Sequence, residues 1–266
     1  MNWEGMIFSY QQESRSGLKK GFPNSMSVNS PSIEQPLLHD YEQPDHWQRV
    51  ANLRWGIYLT QVEQAAIDHG MQIVGDPGEA LDIGCEGGRW TRMMLDRGWD
   101  VTSTEVCERK VAKCQELNPQ ADCRLVSPTD QTLPVEDASM DFIVSIEVDV
   151  NEQPWFAKEL YRVLRPGGVV AYTINNSQSW RGVLANAKCR LRKEELYYIS
   201  SYRSIRRQLK SLGFEMQRQE GFCWLPFGRF SDSRWVSPLT NLERIIGLRK
   251  LATLSPWVMV VCQKKA

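Results

Sequence analysis

At 266 residues and 42% hydrophobic content, the chain can build one large α/β domain with appendages and fill its core. Its 32 basic and 32 acidic side chains cancel, which excludes a strong overall bias toward nucleic acid or membrane, and no apolar run reaches the roughly 18 residues of a membrane span. The seven cysteines form no C-x-x-C pair and have no histidine cluster beside them, which argues against a metal site and fits a reducing compartment; without a signal-peptide pattern, the cytoplasm is the expected location.

Residues 1–43 mix Ser, Gln, Asn, Pro and Gly with isolated aromatics and read as a flexible leader. From Pro44 to Gly70 apolar residues recur at helical spacing, with Trp47, Trp55 and Tyr58 on the buried or pocket-covering side and Gly70 as the expected stop. The stretch A-L-D-I-G-C-E-G-G-R-W, Ala80 to Trp90, then reads as strand, tight turn and helix. Glycines suit such a turn because a missing Cβ permits positive φ and lets a ligand lie on the backbone. Val101 to Glu105 is a second strand ending in a carboxylate about 20 residues beyond the turn, where a doubly wound fold places the acceptor for ribose hydroxyls. Glu86 breaks the dinucleotide fingerprint G-x-G-x-x-G and would set a carboxylate against a pyrophosphate, so NAD is disfavoured.

A helix over Val106–Leu117, a short strand over Asp122–Val126 and a strand over Phe142–Ile146 continue the βαβ rhythm. The acidic loop Glu147–Glu152 follows, at a strand end where open α/β sheets bind ligands. Pro154–Leu164 reads as a helix, Gly167–Ile174 as a strand, Tyr202–Leu212 as a helix, and strands begin at Phe214 and Pro256. Two stretches exceed what the connections need. The first, 177–201, opens a basic run: Arg181 to Lys210 holds nine Lys or Arg against two Glu, ordinarily a solvated helical face. The second, 223–254, holds Trp224, Trp235 and an expected helix Leu239–Leu251, and its aromatics either roof a pocket or pack on the sheet.

Four segments together resemble the class I S-adenosylmethionine-dependent methyltransferases. Asp82-Ile83-Gly84-Cys85-Glu86-Gly87-Gly88 is similar to that family's first motif, and Glu105 falls on its ribose-binding acid. Leu133-Pro134 through Met140–Val144 and Arg162-Val163-Leu164-Arg165-Pro166-Gly167-Gly168 match two later motifs in order and spacing. The resemblance runs from about Pro77 to Thr173 and implies a Rossmann-like, doubly wound α/β sheet of seven strands, mostly parallel with an antiparallel last strand. It further implies a single methyltransferase domain over 44–266, with a covering helix at its start and substrate-choosing insertions at 177–201 and 223–254.

The cofactor implied is S-adenosyl-L-methionine, held by Asp82, Gly84, Glu86, Gly88, Glu105, Thr129, Asp130 and Ile146. Glu86 stands where the family usually has a glycine; its side chain would either clash with the cofactor or point to solvent and hydrogen-bond nearby amides, with Gly87 beside it to absorb the unusual backbone angle, and tolerance is expected over inactivation. Glu147 and Asp149 are the catalytic candidates by position, since all three histidines lie upstream of the first motif. Trp180, Trp224 and Trp235 are the candidates for holding a substrate. The reading that results is an enzyme methylating a small-molecule or lipid-like acceptor, most simply on oxygen. A tRNA methyltransferase using the basic run on phosphates and an inactive cofactor-binding protein are the alternatives, and the first of these predicts binding that weakens steeply with salt.

Overall fold

The computed structural model describes residues 46–196 and 198–265. The expected leader 1–43 lies outside the described residues. Helices α1 (His46–Ala51) and α2 (Arg54–Val74) precede β1 (Glu79–Ile83), α3 (Arg89–Leu95), β2 (Asp100–Glu105), α4 (Glu108–Leu117), β3 (Asp122–Leu125) and β4 (Met140–Ser145). Then come a 3-10 turn (Asp149–Glu152), α5 (Phe156–Val163), β5 (Leu164–Asn175), α6 (Trp180–Arg192), α7 (Tyr202–Leu212), β6 (Phe214–Phe222), α8 (Val236–Ile245) and β7 (Trp257–Lys264). The strands form one sheet in the order β3-β2-β1-β4-β5-β7-β6, with β7 antiparallel to both β5 and β6.

The central strands read as unbroken apolar runs because both faces are covered. Side chains alternate between faces along a strand, so Phe142, Val144, Val169 and Ala171 join one core with α2 while Ile143, Val170 and Tyr172 join another with α5 and α7. That sandwich fixes the carboxyl ends of β1, β2 and β4 along one rim.

The expected N-terminal helix is two helices, and Gly70 does not end the second. The chain breaks at Leu53, whose backbone is extended, and α2 stops at Gly75, which takes φ 91° and donates its N–H to the Met71 carbonyl. Gly70 serves close packing instead: a Cβ there would stand 2.6 Å from Phe142 Cε2. Phe142 is fully buried and its ring lies 5.5 Å from that of Trp99, so it has little room to yield. Gly70→Ala is therefore expected to destabilise the fold by about 2 kcal/mol, the cost of overpacking, despite alanine's better helix propensity. Urea unfolding checks this, and an unchanged midpoint would show that the helix slides away freely. The C-terminal helix likewise starts earlier than its sequence suggests, at Val236, and ends at Ile245.

Candidate functional site

A cavity of about 890 Å³ opens at the carboxyl ends of β1, β2 and β4. The turn after β1 is its floor. Gly84 and Gly88 take φ of 70° and 81°, and between them Glu86 takes 48°, a left-handed conformation that costs a non-glycine residue roughly 1 kcal/mol or more. The Glu86 side chain is not turned to solvent, and Gly87 does not absorb the backbone angle. Glu86 Oε1 instead accepts from Lys110 Nζ of α4 at 3.1 Å, where the lysine side chain is only 3% exposed. The residue that replaces a glycine thus supplies the partner of a buried cation.

Glu105, at the end of β2, is 5% exposed and organises the same turn. One carboxylate oxygen accepts from the Glu86 N–H at 3.1 Å, the other from Val106 and Cys107 N–H at 2.8 and 3.3 Å. Thr129 and Asp130 lie on the far wall in an exposed loop held by its own bonds: Ser127 N–H donates to Asp130 Oδ2 at 3.2 Å, and the Ser127 and Thr129 hydroxyls meet at 2.7 Å. Asp82 is absent from the wall. It is buried behind the turn, accepts from Thr91 Oγ1 at 2.6 Å, and Thr91 meets Ser103 Oγ at 2.8 Å, so it ties β1, α3 and β2 together. Burial raises its pKa to about 7.

Ile146, Glu147 and Asp149 line the cavity where β4 ends. Glu147 takes φ 57°, donates its N–H to Thr173 Oγ1 at 2.6 Å, and pairs its carboxylate with Arg229; its side chain is 7% exposed, and neither oxygen has a hydrogen bond beyond that ion pair. Arg229 comes from the stretch between β6 and α8, and its guanidinium sits 4.9 Å from the Trp47 ring centre. Arg89 packs on Trp47 from 4.1 Å and donates to the fully buried Glu63 at 2.9 Å. Burial raises the Glu63 pKa, and Arg89 opposes that rise.

Glu152 closes the loop behind. It accepts from Asn175 N–H at 2.9 Å, and burial lifts its pKa to about 8. A glutamate that ionises near 4.5 when unfolded and near 8 when folded favours the folded state while protonated. Its contribution is full below the unfolded value and fades as pH rises to about 8, an effect on the order of 5 kcal/mol. Glu152→Gln is expected to flatten that part of the stability-versus-pH curve in urea titrations between the two values; parallel curves for both proteins would refute the protonated state.

The three tryptophans put forward for substrate stand off the wall: Trp180 and Trp235 are 38% and 57% exposed, and Trp224 also lies outside the cavity lining. Trp180 opens α6 and Trp235 caps α8, on helix sides that face outward. The aromatic wall is Trp47, Trp90, Trp155 and Trp257. Arg229 had no sequence signal beyond the length of its insertion.

The volume lies in the range of sites for molecules of cofactor size, roughly 300–1,000 Å³. The lining also suits an adenosyl sulfonium. Glu105 is a buried carboxylate at the end of β2, Val106, Val126 and Leu133 offer apolar surface to a purine, and Glu86 and Glu147 place carboxylates on the lining, which favours a positive centre.

A family model described as a methyltransferase domain matches residues 81–172. The chain is 31% identical over 110 residues to a 2-methyl-6-phytyl-1,4-hydroquinone methyltransferase of Synechocystis, covering 40% of this chain and 35% of that protein. It is 33% identical over 116 residues to a malonyl-[acyl-carrier protein] O-methyltransferase of Pseudescherichia vulneris, covering 40% and 45%. The chain thus spans less than half the length of these curated relatives. Its fold is similar to a putative sarcosine dimethylglycine methyltransferase from Galdieria sulphuraria, with a TM-score of 0.54 at 18% identity over 78% of this chain and 83% of that one. A putative methyltransferase of Haloferax volcanii in complex with the Trm112 activator superposes with a TM-score of 0.54 at 16% identity, over 84% and 98%. Sheet order, glycine turn, acid at the end of β2 and family match agree: residues 81–172 match a methyltransferase domain, set in a fold that resembles the class I, Rossmann-like, S-adenosylmethionine-dependent methyltransferases.

Proposed function

We propose that the protein transfers a methyl group from S-adenosylmethionine to an oxygen of a small-molecule or lipid-like acceptor. The observation that carries this reading is the wall beyond Glu147: Trp155 and Trp257 with Val148 and Val150 give an apolar flank next to two acidic side chains. An apolar body and a single polar group fit such a wall better than a phosphate backbone does, because the acidic rim repels phosphates. The names of two relatives, a phytyl hydroquinone methyltransferase and a malonyl-[acyl-carrier protein] O-methyltransferase, support the same class of acceptor.

When bound, the cofactor supplies an electrophilic methyl on a positively charged sulfur. The protein's share is orientation, exclusion of water and custody of a proton. Glu105, which holds the turn through Glu86 N–H, would accept from the ribose hydroxyls, and the loop at Thr129 and Asp130 would hold the base. Glu147 and Asp149 accept the hydrogen bond of the attacking hydroxyl and take its proton as the new bond forms. Arg229 fixes the Glu147 carboxylate in place. Trp47, held between Arg89 and Arg229, screens the cavity from water.

Calorimetry with S-adenosylmethionine and its demethylated product tests the first half of this reading. Transfer of labelled methyl to a prenylated hydroquinone, to a malonyl thioester and to bulk tRNA tests the second. Labelling of tRNA alone, lost at high salt, would replace the small-molecule reading with the nucleic-acid one.

A further inference from the structure

Two helices of this protein carry their apolar residues on the wrong side for a surface helix. On α6, Trp180, Val183, Leu184, Ala187 and Leu191 recur at i, i+3, i+4, i+7 and i+11, which at 3.6 residues per turn confines them to a stripe about 100° wide. Such a stripe normally faces the core. Here Gly182, Asn186 and Cys189 are buried on the opposite side, and Val183, Leu184 and Leu191 are 56%, 57% and 85% exposed. α8 repeats the pattern beside its buried Val236, Thr240 and Glu243: Trp235, Leu242, Ile245 and Ile246 are between 47% and 74% exposed. Large apolar side chains concentrated this way mark a surface that something covers.

Charge says what kind of surface it is. From Ser177 to Lys193 the chain has five basic residues and no acidic one, and Lys188 and Arg190 flank the α6 stripe on either side. From Ser233 to Leu254 it has four basic residues and one acid, Glu243, which is buried and paired with Arg249 at 3.4 Å. Nucleic acid would be met by basic groups and stacking aromatics, without a Val-Leu-Ile stripe. A second copy placed face to face would bring two basic rims together.

Both helices are also joined to the cavity through the segments beside them. α6 begins just beyond Asn175, which lines it, and Arg181 at its start donates to the Leu225 carbonyl. Asn176 Nδ2 donates to the carbonyls of Thr253 and Ser255 at 3.1 and 3.0 Å, immediately before Trp257 of the cavity wall. Both stripes therefore spring from segments clamped to one another at the cavity end of β5 and β7.

We propose that this face docks on an anionic lipid surface, with the apolar stripes of α6 and α8 entering the acyl boundary and the flanking Lys and Arg side chains meeting the headgroups. No described helix is long and apolar enough to cross a membrane, so the attachment is to the surface and reversible. Docking of this kind requires no turnover, so it stands apart from the acceptor assigned above.

Flotation of the full chain with vesicles of equimolar phosphatidylglycerol and phosphatidylcholine, against phosphatidylcholine alone, is the test. The protein is expected to float with the anionic vesicles and to be released by salt. Val183→Ser with Leu184→Ser and Leu191→Ser, or Ile245→Ser with Ile246→Ser, should each weaken binding at least about tenfold while melting temperature is kept, because these side chains are exposed. Arg190→Glu with Arg192→Glu should remove the preference for anionic lipid. Absence of flotation overturns the proposal, as does flotation that survives both serine sets. A dimer that the serine variants dissociate, without vesicle binding, assigns the face to a second copy; displacement from vesicles by tRNA assigns it to nucleic acid. Either result also overturns the proposal.

Discussion

Glu105→Ala is expected to weaken S-adenosylmethionine binding by on the order of 100-fold in calorimetry, about 3 kcal/mol. The effect has two sources. A charged acceptor for two ribose hydroxyls disappears, and three backbone N–H groups, those of Glu86, Val106 and Cys107, lose their partner inside a turn that already holds Glu86 at a positive φ. Glu105→Gln separates them, because its amide oxygen can still accept from one side of the turn while the other side faces an amine. It should fall between the wild type and the alanine variant. If Glu105→Ala bound the cofactor as tightly as the wild type, the ribose assignment would be wrong whatever its effect on stability.

The place of Glu105 at the end of β2 was legible from sequence because two regular features fix it: a β-prone run that must end where the sheet ends, and a near-constant interval from the glycine turn. The same holds for the sheet. Strands buried on both faces leave dense apolar runs such as Val169–Ile174 and Val258–Cys262, and burial on both sides leaves no alternative reading. A glycine near a helix end signals a stop in sequence, whereas the use of Gly70 against Phe142 depends on a strand 72 residues away. The tryptophans of the insertions were misplaced for a related reason: an apolar stripe on a helix announces that it will be covered and leaves open by what. In α6 and α8 the stripe faces outward, so Trp180 and Trp235 are at the surface and the cavity takes its aromatics from Trp47, Trp90, Trp155 and Trp257. Arg229 had the weakest trace, lying in irregular chain 82 positions beyond its partner Glu147.

That partnership yields the second large effect. Arg229→Ala is expected to destabilise the protein by about 3 kcal/mol, a fall in melting temperature of roughly 6–12 °C for a chain of this size, because it strands a carboxylate. Glu147 is 7% exposed on its side chain, has no hydrogen bond to either oxygen besides this ion pair, and is held in place by its own N–H to Thr173 Oγ1 at 2.6 Å, so it cannot swing out to water without breaking the backbone arrangement after β4. The 22% exposure of Arg229 and the open cavity beside it keep the loss at the lower end for a broken buried pair. Removing the carboxylate as well reverses the sign of the argument: Glu147→Ala added to Arg229→Ala should recover most of the lost melting temperature, since nothing charged is then left without a partner. Methyl transfer should stay impaired, as Glu147, one of its two proton acceptors, is gone. A double variant that stays as unstable as Arg229→Ala would show that the arginine stabilises through its stacking on Trp47 rather than through Glu147, and would remove Arg229 from the role of fixing the carboxylate.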